Sequence, residues 1–205
     1  MVITTDITEV TRIIQAGRVA AFPTGTSYGL AADALQGHAL QRVRNLKGRP
    51  SDKTFTVFIA PSLWDTYLVL TAREKESMPK LNGQAITLLV SPTAALAHLA
   101  QGGRVGLRMI DHPLMEALAE QAQVPLTATS ANKAGQPPCF TPADISTTFP
   151  GKLDETTYDL SLGAVLDGGV LPPSEPSTII SLTDSGVTIH RPGRLTADEV
   201  EKILA

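Results

Sequence analysis

The chain has 205 residues, 42% of them hydrophobic and 18% charged, the make-up of an ordinary globular protein long enough to bury a core. No apolar run approaches the length of about 18 residues needed to cross a bilayer, Met1-Val2-Ile3 opens without the features of a signal peptide, and a formal charge of −3 argues against a surface given over to polyanions. The single cysteine, Cys139, excludes an internal disulfide and a cysteine-rich metal site, fits a reducing compartment, and leads us to expect a cytoplasmic location.

Asp6 predicts the cap of a first helix, with Glu9 in capping-box position, Ile7, Val10, Ile13 and Ile14 as the apolar stripe and Gly17 as the stop. Val19-Ala20-Ala21-Phe22 reads as a buried strand ended by Pro23, and Thr24-Gly25-Thr26-Ser27-Tyr28-Gly29 as the hydroxyl-rich turn after it. Leu40, Val43 and Leu46 then line one face of a helix from His38 to Leu46. That helix delivers Lys47-Gly48-Arg49-Pro50-Ser51-Asp52-Lys53, three cations within seven residues. Gly48 permits a close backbone approach and Pro50 pushes Arg49 towards an extended conformation, which outlines an anion site. The competing account is a solvated helix end, where Lys and Arg are favoured in any case. Thr54–Ile59 alternates as a strand.

Further strands are predicted at Ala85–Val90 and Val105–Arg108, followed by a helix over Pro113–Ala122 with proline at its first position. Val124–Ala128 reads as a strand running into a second polar loop, Thr129–Pro138, and Pro142–Phe149 as a short helix. Strands at Ala164–Leu166, Thr178–Leu182 and Val187–Arg191 and a last helix capped by Thr196 with Glu199 complete the chain. Without repeats or a linker, residues 1–205 are expected to form a single α/β domain around a mixed, twisted sheet.

Three chemistries are weighed. Gly25-Thr26-Ser27-Tyr28-Gly29 fits G-x-S-x-G, with Asp167 and His190 downstream in hydrolase order. Against a serine hydrolase stand the small size of the chain, the place of His190 inside a predicted strand, and the want of a glycine-rich oxyanion segment. Metal ligation is disfavoured because His38, His98, His112 and His190 are scattered, so no intrinsic metal is expected. Neither a Walker loop nor G-x-G-x-x-G occurs. What remains is a set of cations, Lys47, Arg49, Lys53, Arg104, Arg108, Arg191 and Arg194, with two polar loops after strands. Loops that follow strands of an α/β sheet converge on one edge. A triphosphate needs several such cations: one unit pair about 4 Å apart gains roughly 4 kcal/mol at an effective dielectric near 20.

Six blocks in order, Pro23–Leu30, Lys47–Lys53, Leu107–Pro113, Thr129-Ser130-Ala131-Asn132, Ser177–Ile180 and Arg191-Pro192-Gly193, resemble the YrdC/YciO family. The likeness runs from about the first helix to Gly193 and reads as a stand-alone YrdC-like domain. It implies a twisted α/β fold with an open basic cleft. For the best-known branch it implies synthesis of threonylcarbamoyl-AMP from ATP, carried with magnesium, L-threonine and bicarbonate, supplying tRNA modification. The residues that match place Lys47, Arg49 and Lys53 on the phosphates, with Lys47 and Arg49 as the catalytic cations. Ser130, Asn132 and Arg191 fall on the nucleotide, and Thr24, Arg108 and Ser177 on threonine. A second reading keeps the fold but makes the chain a YciO-like RNA-binding or ribosome-maturation factor. The chain departs from the family pattern at Gly25, Thr54 and Ala128, where the pattern carries an acid, a proline and a serine, and at Leu81–Gln84, where it carries Trp-Pro-Gly-Pro.

Overall fold

The structure is a computed structural model that describes residues 1–50, 53–150, 161–183 and 186–205; Ser51 and Asp52 of the cation-rich block lie outside the described residues. Strand β1 (Val2–Thr4) leads into α1 (Ile7–Gln15), where the Asp6 carboxylate accepts from the Thr8 and Glu9 amides at 2.8 and 3.4 Å. Strands β2 (Ala20–Pro23) and β3 (Tyr28–Ala31) then form an antiparallel hairpin closed by residues 24–27. Tyr28 and Gly29, read from sequence as part of the turn, belong to this strand because Pro23 pairs with Tyr28 and Phe22 with Gly29. Helix α2 (Gly37–Lys47) stops at Gly48, whose φ of 61° turns the chain back so that its amide meets the Arg44 and Asn45 carbonyls.

The expected strand over Thr54–Ile59 is reduced to β4 (Val57–Phe58), since the carbonyls of Thr54 and Thr56 go instead to the Arg49 guanidinium and the Ala128 amide. Residues 60–84, given no element from sequence, hold a 3-10 turn (Pro61–Leu63), α3 (Trp64–Tyr67), β5 (Leu68–Val69) and α4 (Ala72–Leu81). A full capping box, Thr71 with Glu74, starts α4. Next come β6 (Ile86–Pro92), a 3-10 helix (Ala94–Leu99), β7 (Val105–Arg108), α5 (Pro113–Ala122), β8 (Leu126–Thr127), β9 (Thr129–Ser130) and α6 (Pro142–Thr148). Strands β10 (Ala164–Leu166), β11 (Thr178–Thr183) and β12 (Gly186–Arg191) and helix α7 (Ala197–Leu204) end the fold.

The α/β class holds, with the strands divided over two mixed sheets. One runs β1-β10-β2-β3-β9, its first three strands parallel and its last three antiparallel. The other runs β12-β11-β6-β7-β4-β8 with β5 beside β6, and β11 is parallel to β6 as β4 is to β7. Strand β2 is buried on both faces: Ala20 and Phe22 enter the core beneath α1 and α5, whereas Ala21 enters the larger core shared with the second sheet. Stacking of Phe22 on Phe58, ring centroids 4.8 Å apart, carries the first core across to the second sheet. The two sheets thus share a core, to which both contribute.

Candidate functional site

A cavity of about 760 Å³ is lined by residues from both sheets, a size that suits a small-molecule site. Thr24, Ser27, Thr129 and Ser130 line one side, Thr87, Arg108 and Ser177 the other, and Arg49, Arg104 and Arg191 also reach it. Four guanidinium groups around one space favour an anionic occupant.

At one end the cation-rich block folds back on α2. Lys47 is buried, 5% exposed, and its ammonium donates to Ser130 O (2.5 Å), Asn132 O (3.1 Å) and Asn132 Oδ1 (2.9 Å). Ser130 Oγ adds a bond to the same Asn132 Oδ1 at 2.6 Å, and the Ala134 amide returns to Lys47 O at 2.8 Å. Lys47 is therefore the post to which the Thr129–Asn132 loop is tied. Burial, reinforced by the neighbouring Arg49 charge, brings its pKa down to about 8. Arg49 reaches the cavity itself. Its Nη2 donates to Thr54 O at 2.6 Å, Nη1 approaches Thr129 Oγ1 at 3.4 Å, and the guanidinium lies 5.2 Å from the Phe55 ring centre. Lys53 is exposed, and neither Lys47, Lys53 nor Asn132 lines the cavity.

At the other end Arg108 is buried and donates through Nη1 to the carbonyls of Met109, Gln84 and Ile86, at 2.7, 3.2 and 3.4 Å. Its Nη2 pairs with Asp111 Oδ2 at 2.5 Å. Ser177 Oγ lies 2.8 Å from Thr87 Oγ1, and the Ser177 carbonyl accepts from Arg191 at 2.6 Å. Burial first, and then the charge of Arg108, lowers the Arg191 pKa; two guanidinium groups so placed are eased by an anion between them. Thr24 shapes the hairpin turn, its hydroxyl donating to Ser27 O at 2.8 Å and accepting from the Thr26 and Ser27 amides. Arg194 crosses from the segment after β12 to donate to Gly25 O at 2.8 Å.

The hydrolase arrangement does not assemble. Ser27 Oγ donates to the Tyr28 carbonyl, Asp167 Oδ1 accepts from the Gly169 amide, and His190 pairs with Ser181, so none of the three bonds another. Among the described residues no group of three or more His, Cys, Asp or Glu side chains is placed to hold a metal, and no helix is long and apolar enough to cross a membrane. Sequence reasoning missed Thr87 and Asp111. The signal for the first was one polar residue inside an apolar strand, and for the second an acid three residues after an arginine.

The Sua5/YciO/YrdC family model, which bears the description Telomere recombination, matches residues 12–193. The threonylcarbamoyl-AMP synthase of Bacillus subtilis is 31% identical over 97% of this chain and 56% of its own length. That of Pyrococcus abyssi is 31% identical over 93% and 55%, so the chain spans little more than half of these two synthases. The crystal structure of P. abyssi Sua5 complexed with L-threonine matches with a TM-score of 0.82 at 28% identity, over 98% of this chain and 59% of that one. E. coli YciO shares the fold, with a TM-score of 0.74 at 23% identity over 94% and 93%.

Proposed function

Because the chain belongs to the Sua5/YciO/YrdC family, we propose that it condenses ATP, L-threonine and bicarbonate to threonylcarbamoyl-AMP and pyrophosphate, with residues 1–205 acting as one YrdC-like unit. The observation that carries this reading is the arginine-lined cavity, with Arg49 and Ser130 at one end and Arg108, Ser177 and Arg191 at the other. Similarity to a Sua5 that binds L-threonine supports the choice of amino acid.

The threonine nitrogen attacks the bicarbonate carbon, water leaves, and an N-carboxy adduct results. One carboxylate oxygen of that adduct then attacks the α-phosphorus of ATP, forming the P–O bond as the bond to the β-phosphate breaks and pyrophosphate departs. No proton needs to move to or from a side chain in the second step, so the work is placement and charge neutralisation. Arg49 holds the phosphates of ATP, which enters with magnesium, and Ser130 meets the nucleotide together with Arg191, while Asn132 orients Ser130 and Lys53 adds its charge from outside the cavity lining. Lys47 adds its charge from behind the loop it tethers. Arg108 forks onto the threonine carboxylate while Thr24 and Ser177 face the rest of the amino acid. The product is the activated group for N6-threonylcarbamoyladenosine in tRNA, a cytoplasmic task.

Pyrophosphate should appear only when ATP, threonine and bicarbonate are all supplied, with the adenylate seen by mass spectrometry. Release that continues undiminished without threonine would overturn the substrate assignment.

A further inference from the structure

Asp111 makes two contacts that join separate walls of the cavity without itself lining it. Its Oδ2 holds Arg108 Nη2 at 2.5 Å and its Oδ1 accepts the Gly25 amide at 3.0 Å, with only 4% of the Asp111 side chain and 6% of the Arg108 side chain exposed. The Gly25 carbonyl is held on its other side by Arg194 Nη1 at 2.8 Å. One line of bonds therefore runs from the Met109 carbonyl through Arg108, Asp111 and the Gly25 peptide to Arg194, linking the end of β7, the hairpin turn and the segment after β12.

Position 25 has no room for anything but hydrogen. A Cβ there would fall 2.7 Å from Asp111 Cγ and 3.0 Å from its backbone oxygen, with Oδ2 nearer still. The φ of Gly25 is not in the left-handed region, so contact with the carboxylate and not backbone strain reserves the site for glycine. An aspartate suits the junction because an ionised carboxylate accepts from both donors, whereas an amide oriented to accept from one turns its NH₂ towards the other.

Resting on the function proposed above, we propose that Asp111 is the positioning residue of the amino-acid end, setting Arg108 against the Thr24–Ser27 turn, and that Gly25 is the space it requires. Asp111→Asn keeps the volume and breaks the double acceptance. The expected result is a rise in KM for threonine of about tenfold or more with KM for ATP nearly unchanged, since misplacement of a binding group by about 1 Å has effects of that order. Gly25→Ala should raise the same KM, and in an Asp111→Gly background, where only the 3.0 Å contact with the backbone oxygen of residue 111 is left, the added methyl should have a clearly smaller effect. Equal changes in both KM values, no change in either, or a Gly25→Ala effect undiminished without the carboxylate would overturn the proposal. Circular dichroism and melting curves on every variant separate misfolding from misplacement. Hydrogen exchange of the Gly25 amide reads the junction without any turnover: it should be protected in the native chain and about tenfold or more faster in Asp111→Asn. Unchanged exchange would overturn the proposal, whereas a native chain that uses no amino acid but shows the expected exchange would leave the junction standing and remove the synthase reading.

Discussion

At the Arg49 end of the cavity the cations come from one helix terminus and meet neutral partners, Lys47 on the oxygens of Ser130 and Asn132, Arg49 on Thr54 O and the Phe55 ring. At the Arg108 end the arginines arrive from distant segments, and one of them is paired with a carboxylate. Neutral acceptors orient a cation without cancelling its charge, as the three oxygens around Lys47 do. A buried ion pair cancels one charge and fixes geometry instead, and it becomes a liability if either partner is lost. The first end is therefore expected to show itself in activity, the second in stability as well.

Arg108→Ala tests that contrast most severely, because among the described contacts it leaves the buried Asp111 carboxylate with the Gly25 amide as its remaining donor. The loss should be about 3–5 kcal/mol, which for a chain of this size lowers Tm by about 10 °C or more. A shift under about 3 °C by calorimetry would erase the distinction between the two ends. Arg49→Ala should do the reverse. Pyrophosphate formation is expected to fall about 100-fold, the usual scale for one preorganised donor. Stability should fall less than in Arg108→Ala, by about 1–2 kcal/mol, the scale of a cation–π contact and a hydrogen bond to a carbonyl.

The same contrast governs how much was legible in the sequence. The helix ends at Asp6, Gly17 and Thr196 and the block from Lys47 to Lys53 are local, and local chemistry announced them. Of the cavity residues, Arg49, Arg108 and Arg191 stood out because loops after strands converge, whereas Thr24, Ser130 and Ser177 came only from the resemblance to the YrdC/YciO family; all six line the cavity. The burial of Lys47 was not visible, since its acceptors are oxygens 83 and 85 positions away. For the same reason β1 escaped: Val2–Thr4 is a strand only because Ala164–Leu166 lies beside it. Helix α4 escaped for a different reason. Its charged first half and Pro79 mask the period, although Thr71 and Glu74 spelled its cap. At Gly25 the structure places the Asp111 carboxylate in the space a side chain would take.

Lys47 sharpens the comparison through pH. Its folded pKa of about 8 lies below the ordinary lysine value of 10.5, so between those values the unfolded chain binds more protons and stability rises with pH. Below pH 8 the full penalty of the buried charge is present and constant. Against Lys47→Met, which keeps the length and cannot titrate, the native chain should gain about 1.5 kcal/mol between pH 8 and 9.5 in denaturant melts. A flat or falling difference would mean that the three oxygen acceptors outweigh burial and hold the proton.

The smallest effect separates two glycines that serve the two ends for opposite reasons. Gly48 sits at φ 61° with nothing within 4 Å of an added Cβ, so its need is conformational: the left-handed turn sends Lys47 inward and Arg49 towards the cavity. Gly25 has no such φ and needs space alone. Gly48→Ala should thus cost about 1 kcal/mol, or roughly 2–4 °C in Tm, and Gly48→Asn less, because asparagine tolerates the left-handed region. Gly25→Ala should spare the backbone and appear in the KM for threonine. If alanine at 48 left Tm unchanged, or asparagine proved as costly as alanine, the turn would not depend on a left-handed residue. Delivery of Arg49 would then have to come from Pro50 and the Phe55 ring instead.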